Sequence, residues 1–300
     1  AYDLARVAAF GPSPGPVGGR DSIESYLAYG YVPADLHGGS VSRTQEYAIA
    51  DSALARWARR LGRTAEAAEL EQHAQSWRAL FDESTGFFRG KNADGSWAPW
   101  PGETANDSMF VEGNAWQYLW LVPHDPEGLA DVLGGAAAAR ERLAELFELS
   151  ATEEPILGAR MYYWHGNEPD IVAPWLFAAW GDPASTAHWV RWVVDELYGV
   201  EADGIPGNDD GGTMSAWLLF AAAGLYPVAG SDQYIVGVPR YPRVVLHRPS
   251  GDLRIEAEPD PRTHPVPIAV RLDGDPLTGP YLSHEALEGE RLLRFEMARP

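Results

Sequence analysis

Through roughly the first 228 positions, apolar residues recur at alternating steps of three and four, the spacing of one helix face. Over 42–61 the stripe is Tyr47, Ala50, Leu54, Trp57 and Leu61, with Ser42 and Gln45 placed as a capping box and Gly62 just past the end. Ala67, Leu70, Ala74, Trp77 and Phe81 repeat the pattern. Asp82 to Gly95 is rich in turn residues. Further helices are predicted at about 114–121, 126–133, 136–148, 170–180, 184–198 and 213–224, the last with Met214, Trp217, Leu218, Ala221 and Leu225 on one side. Successive helices joined by short or Gly/Pro-rich loops predict helix pairing in a bundle or a toroid. No repeat of fixed period is present, which argues against an ordinary solenoid.

Beyond Tyr226-Pro227 the period changes. Residues 234–238, 243–247, 253–257, 268–272 and 292–296 are short β-rich runs separated by Pro, Gly and Asp, and Asp273-Gly274 is a hairpin signal. The expected organisation is therefore a helical domain over 1–228 followed by a β-rich segment over 229–300.

Composition narrows the class. The 300 residues carry 43 acidic against 23 basic side chains, a formal charge of −20, which would repel a phosphate backbone and argues against a nucleic-acid partner. With no cysteine, disulfides, thiolate metal sites and cysteine nucleophiles are excluded. No apolar run is long enough to span a bilayer. Twelve Trp and thirteen Tyr supply flat faces that serve either a core or the stacking of sugars.

Four stretches carry polar residues that a helical scaffold does not need. In Phe110-Val111-Glu112-Gly113-Asn114-Ala115-Trp116-Gln117-Tyr118, Glu112 is either a helix-start acid or a carboxyl desolvated by Trp and Tyr and kept protonated as a general acid. In His165-Gly166-Asn167-Glu168-Pro169-Asp170, Pro169 suits a first helical turn, so Asn167 and Glu168 sit at its lip as caps or as hard oxygen donors. Gly207-Asn208-Asp209-Asp210-Gly211-Gly212-Thr213 is either a capping loop or an acidic turn holding a base, and it lacks EF-hand spacing. Arg43, Glu46 and Asp51 either turn from their helix into a shared cavity or form a solvated face. His37, His73, His188, His247, His264 and His284 have no metal-ligand spacing.

Taken in order, these stretches resemble glycoside hydrolase family 92. The match runs through Val41-Ser42-Arg43-Thr44 with Glu46-Tyr47, then Glu112 to Tyr118 followed by Val122-Pro123-His124-Asp125, then His165-Gly166-Asn167-Glu168-Pro169. It continues through Gly207-Asn208-Asp209-Asp210 with Gly212 and Met214-Ser215-Ala216-Trp217, and ends at Gly224 with Tyr226-Pro227-Val228. One departure is Asp170-Ile171, where many members carry Ser-His.

The resemblance implies a calcium-dependent exo-α-mannosidase that inverts at the anomeric carbon. It implies an (α/α)6 toroid, of which this chain supplies a large part, and an N-terminal β-sandwich of the same protein that the C-terminal β segment completes. It assigns Glu112 as general acid, Asp210 as general base, Asp209 and Asn208 as neighbours that orient the water or tune the base, with Asn208 also meeting substrate, and Asn167 and Glu168 as calcium ligands. Trp116, Trp97 or Trp100 would wall the sugar, and Arg43 and Glu46 would contact substrate. Inversion needs room for a water, with the two carboxyls roughly 6.5–9.5 Å apart. A secreted or cell-envelope-associated bacterial protein is the implied setting, with an α-mannoside glycan as partner. The rivals are another helical-toroid glycosidase or phosphorylase, and a non-catalytic carbohydrate-binding or interaction module.

Overall fold

The computed structural model describes residues 1–11, 19–154 and 160–299. Ten helices are described: α1 (Tyr2–Phe10), α2 (Ile23–Tyr29), α3 (Ser40–Arg60), α4 (Thr64–His73), α5 (Ala115–Tyr118), α6 (Pro126–Val132), α7 (Ala136–Thr152), α8 (Ala173–Ala179), α9 (Pro183–Leu197) and α10 (Thr213–Ala223). The described strands are β1 (Phe81–Asp82), β2 (Phe87–Phe88), β3 (Leu225–Pro227), β4 (Gln233–Val236), β5 (Arg243–Leu246), β6 (Leu253–Glu258), β7 (Val266–Leu272), β8 (Asp275–Pro276), β9 (Tyr281–Ser283) and β10 (Arg291–Ala298). Helices thus dominate up to Ala223, and all the described strands but β1 and β2 follow.

Two compact units divide the chain: residues 1–125 with 229–231, and 126–228 with 232–300. The division falls inside the helical text, not at the change of composition near 228. The reason is packing: Ala187 of α9 and Ala223 of α10 belong to the same core cluster as Leu253, Ile255, Leu293 and Phe295 of the sheet.

In the first unit, Tyr2 of α1 packs with Leu54, Ala55 and Ala58 of α3 and Ala67 and Leu70 of α4. Of the stripe expected on α3, Leu54 is buried but the rest is not, and the buried face lies mostly to one side of it. Trp57 and Leu61 are exposed, whereas Val41, Thr44, Gln45, Ala48, Asp51, Ala55 and Ala58 are buried. Small and polar side chains let neighbouring backbone come close, so burial on α3 follows hydrogen bonding more than apolar area. Asp51, wholly buried, pairs with Arg20 at 2.8 Å and accepts from the Tyr26 hydroxyl at 3.0 Å. Arg20 also lies over the ring of Tyr47, 4.8 Å from its centroid.

The expected capping box at Ser42 and Gln45 is also absent. The helix begins two residues earlier, behind Gly39 at φ +63°, with no side-chain cap. A reciprocal box does exist at α5, where the Asn114 side chain accepts from the Gln117 N–H at 3.2 Å and the Gln117 side chain accepts from the Asn114 N–H at 3.2 Å.

In the second unit, β5-β6-β10-β7-β8 form one sheet, antiparallel except for the β6–β10 pair, and β3-β4-β9 form an antiparallel second sheet. β6 alternates strictly, with Leu253, Ile255 and Ala257 inward, and β10 faces it with Leu293, Phe295 and Met297. Each such aliphatic or aromatic side chain contributes about 1.5–3 kcal/mol by leaving water. Asp273 and Gly274, at φ +51° and +97°, form the two-residue loop between β7 and β8 that the sequence signals.

Candidate active site

Glu112 lies two residues ahead of the Asn114 cap, at φ +51°, a left-handed conformation that a glutamate rarely adopts. The backbone around it is gripped from both sides. Ser42 on α3 accepts the Val111 N–H at 2.9 Å, and the Tyr118 hydroxyl donates to the Val111 carbonyl at 2.6 Å. Gln45 secures Tyr118 in turn, donating to its carbonyl at 3.0 Å. Gly113 is required beside Tyr118, since a Cβ there would stand 2.8 Å from the ring.

Glu112 itself is exposed, while Trp116 and Tyr118 are buried. The burial that the desolvated reading of Glu112 required is therefore absent; Tyr118 instead holds the backbone that presents it. Trp116, only 1% exposed, has its ring edge-on to Phe87 at 5.0 Å and offers no face to a sugar. Of the other candidate walls, half-buried Trp100 stacks on Phe87 and half-buried Trp97 has the Lys91 ammonium 4.9 Å from its centroid.

Arg43 and Glu46 stand one turn apart on α3, the first half-buried and 3.8 Å from Asp21, the second exposed. Asp51 does not join them. It is buried on Arg20 and Tyr26, so it belongs neither to a cavity shared with Arg43 and Glu46 nor to a solvated face.

Within the second unit the structure brings two of the predicted stretches together. Gly207, at φ +73°, lies against Gly166 so closely that a Cβ on Gly207 would stand 2.2 Å from the Gly166 carbonyl oxygen. Asn167 precedes a short 3₁₀ turn, Glu168–Asp170, without making a side-chain cap bond. The loop is closed by Asp170, which accepts the Trp164 N–H at 2.9 Å. Asp170 is buried, and loss of water pushes its carboxyl well above the usual range.

Asp209 has φ +60°. Its two carboxylate oxygens accept from the N–H and hydroxyl of Ser215 on α10, both at 2.8 Å. Those donors hold its carboxyl below the ordinary value. Asp209 thus caps the helix from outside while keeping its charge. Asp210 and Asn208 are exposed beside it, and the Asp210 carbonyl accepts from the Thr213 hydroxyl at 2.8 Å.

His165, which sequence reasoning left without a role, is buried between two phenols. Its Nδ1 is 2.6 Å from the Tyr163 hydroxyl and its Nε2 is 2.8 Å from that of Tyr198. Burial lowers its pKa to about 3, so the ring is neutral. The advance signals for Ser215 and His165 were their places inside the matched stretches, and Ser42 carried a capping signature besides.

Asn167 and Glu168 are half-buried and carry hard oxygen donors. Among the described residues no group of three or more His, Cys, Asp or Glu side chains gathers to hold a metal ion. This donor set fits calcium, whose flexible shell of six to eight oxygens draws on carbonyls, waters and hydroxyls as well as carboxylates.

No described helix is long and apolar enough to cross a membrane. A curated relative from Arthroderma benhamiae, described as an uncharacterized secreted glycosidase, is 27% identical over 281 residues, covering 83% of this chain and 35% of that protein. The solved family GH92 inverting mannosidase from Bacteroides thetaiotaomicron superposes with a TM-score of 0.89 at 30% identity, over 100% of this chain and 43% of that one. A family GH92 α-mannosidase from the same organism gives 0.89 and 30%, over 100% and 39%. The chain therefore spans well under half the length of these relatives. The model of the glycosyl hydrolase family 92 catalytic domain matches residues 1–299, and the chain belongs to that family.

Proposed function

We propose that this chain is the catalytic portion of an exported exo-α-mannosidase that hydrolyses terminal α-linked mannose with inversion, assisted by calcium. One observation carries the reading. Among the described residues only three other than glycine have positive φ, and two of them are Glu112 and Asp209. The third, Asp273, sits in a tight hairpin that requires it. Left-handed backbone costs about 1–3 kcal/mol at a non-glycine residue and persists where function repays it.

On this reading Glu112 donates its proton to the glycosidic oxygen as the bond to the anomeric carbon breaks. The Asp210 carboxylate takes a proton from the water that attacks the opposite face. Asp209, with both oxygens on Ser215, holds the turn that presents Asp210 and keeps a negative charge beside it. Asn208, Arg43 and Glu46 would meet sugar hydroxyls. Asn167 and Glu168 are the residues that would hold calcium, which when bound supplies a hard cation for vicinal hydroxyls. The helices would contribute to an (α/α)6 toroid, and the β-rich segment would complete a β-sandwich with an N-terminal domain. The secreted description of the relative from Arthroderma benhamiae supports export.

The test uses the full-length protein on α-mannobiose, with and without a calcium chelator. Release of β-mannose, lost on chelation and restored by calcium, is expected. Glu112→Gln should lower kcat by about 10²–10⁴ while retaining mannoside binding. Hydrolysis indifferent to chelation, or release of α-mannose, would sink the reading. Binding without turnover in the wild type would favour a carbohydrate-binding module, and a requirement for free phosphate would favour a phosphorylase.

A further inference from the structure

Three contacts tie the stretch that carries Asn167 and Glu168 to the start of α10, where Asp209 is anchored. The first is the close approach of Gly166 and Gly207. The second is Trp217 of α10, whose indole N–H donates to the Ile171 carbonyl at 2.9 Å while its ring meets that of His165 at 4.3 Å. The third is a chain of hydrogen bonds through His165, and its direction follows from its far end.

The Tyr198 hydroxyl lies 2.8 Å from the Met214 carbonyl. A carbonyl can only accept, so that hydroxyl spends its single proton there. Its oxygen must then accept from His165, which places the imidazole proton on Nε2. Nδ1 is left bare and accepts from the Tyr163 hydroxyl at 2.6 Å. The sequence of donors is therefore Tyr163, His165, Tyr198, ending on Met214. Every proton is committed in one direction, and reversing any single link strands a donor or leaves two acceptors facing each other.

Met214 is the residue before Ser215, and Ser215 donates to both oxygens of the Asp209 carboxylate. We propose that His165, as its Nε2–H tautomer, is a positioning residue that sets the Asp209–Asp210 turn relative to the Asn167–Glu168 loop through Tyr198 and Met214. The deepest point of the matched His-Gly-Asn-Glu-Pro stretch thus acts on the base side of the reaction without touching substrate. This inference rests on the mannosidase reading for its kinetic consequence but not for its chemistry.

Two measurements on the full-length protein separate those parts. The first is histidine side-chain nitrogen-15 NMR of the wild type at neutral pH. A protected Nε2–H resonance assigned to His165 is expected, and an Nδ1–H tautomer overturns the proposal. The second is kinetics on α-mannobiose. Tyr198→Phe keeps the ring that stacks on Trp217 but removes the hydroxyl link. It should lower kcat about tenfold with KM within about twofold, since a displaced base acts only in the transition state.

His165→Gln, whose amide reaches the Nε2 position, should recover most of the wild-type kcat, and His165→Asn, which does not reach it, should behave as Tyr198→Phe. An unchanged kcat in Tyr198→Phe, or equal losses in the Gln and Asn variants, overturns the positioning role even if melting temperatures fall. If the wild type hydrolyses no α-mannoside, the proposed function fails, and the tautomer alone then decides the hydrogen-bond chain.

Discussion

In the unit that carries Glu112, one loop is gripped by side chains projecting from helices: Ser42 and Gln45 from α3 and Tyr118 from α5. The helix doing most of the gripping is itself fixed by a buried ion pair, Arg20 with Asp51. In the unit that carries Glu168 and Asp210, two loops press backbone to backbone at Gly166 and Gly207. There the ties are neutral: a histidine, two tyrosines and a tryptophan. The contrast has a physical meaning. A single presented acid needs its backbone conformation enforced, which donors and acceptors from a rigid helix accomplish. Loops proposed to hold a metal and a base must instead keep a distance from each other, and close backbone packing with aromatic spacers does that without adding charge beside carboxylates.

The largest effect is expected at the ion pair. Arg20→Met leaves the Asp51 carboxylate buried without its cation and should destabilise the protein by about 3–5 kcal/mol in denaturant melts. A double change, Arg20→Met with Asp51→Leu, should recover much of that loss; if it does not, the pair is more than an anchor.

Gly207→Ala comes next. Positive φ and overlap with the Gly166 carbonyl together predict a cost of about 2–4 kcal/mol. Calcium binding, followed by isothermal titration, should weaken in the same variant, because the Asn167–Glu168 loop must move to admit the methyl group. Retained affinity would show that the two loops are independent.

Ser42→Ala sharpens the other side. Losing the acceptor for the Val111 N–H should cost about 1 kcal/mol and lower kcat more than it changes KM, since Glu112 is then less well presented. An altered KM with unchanged kcat would argue that Ser42 only braces the fold.

The smallest effect is expected from Ser215→Ala, and its sign depends on pH. Asp209 titrates below its ordinary value because Ser215 donates to it, so the stabilisation is present above about pH 4. It is lost as pH falls through the folded value. Thermal melts should therefore show a deficit for Ser215→Ala at pH 7 that narrows below about pH 4. A deficit that is constant with pH would mean the hydroxyl serves packing alone.

Periodicity located nearly every long element. The expected 184–198 and 213–224 helices are observed at Pro183–Leu197 and Thr213–Ala223, and the five expected strands each lie within a residue or two of β4, β5, β6, β7 and β10. It placed only Leu54 of its α3 stripe on the buried side, because hydrophobicity cannot register Thr44, Gln45 and Asp51, which are buried with their hydrogen bonds. Ser42 and Gln45 carried a capping signature for the same reason: the donors and acceptors that cap a helix are also those that grip a loop distant in sequence.

The amino-acid sequence alone determined the helical text, the β-rich end, the family and the three stretches on which the chemistry is proposed to rest, since local periodicity and ordered motifs are properties of the chain. Tertiary structure decided what holds those stretches. Trp116 went to the core, Asp51 to an ion pair, and His165 to a directed chain ending on Met214. Partners separated by tens of residues leave no mark in local pattern, and a hydrogen bond's direction is set only when every donor around it has found its acceptor.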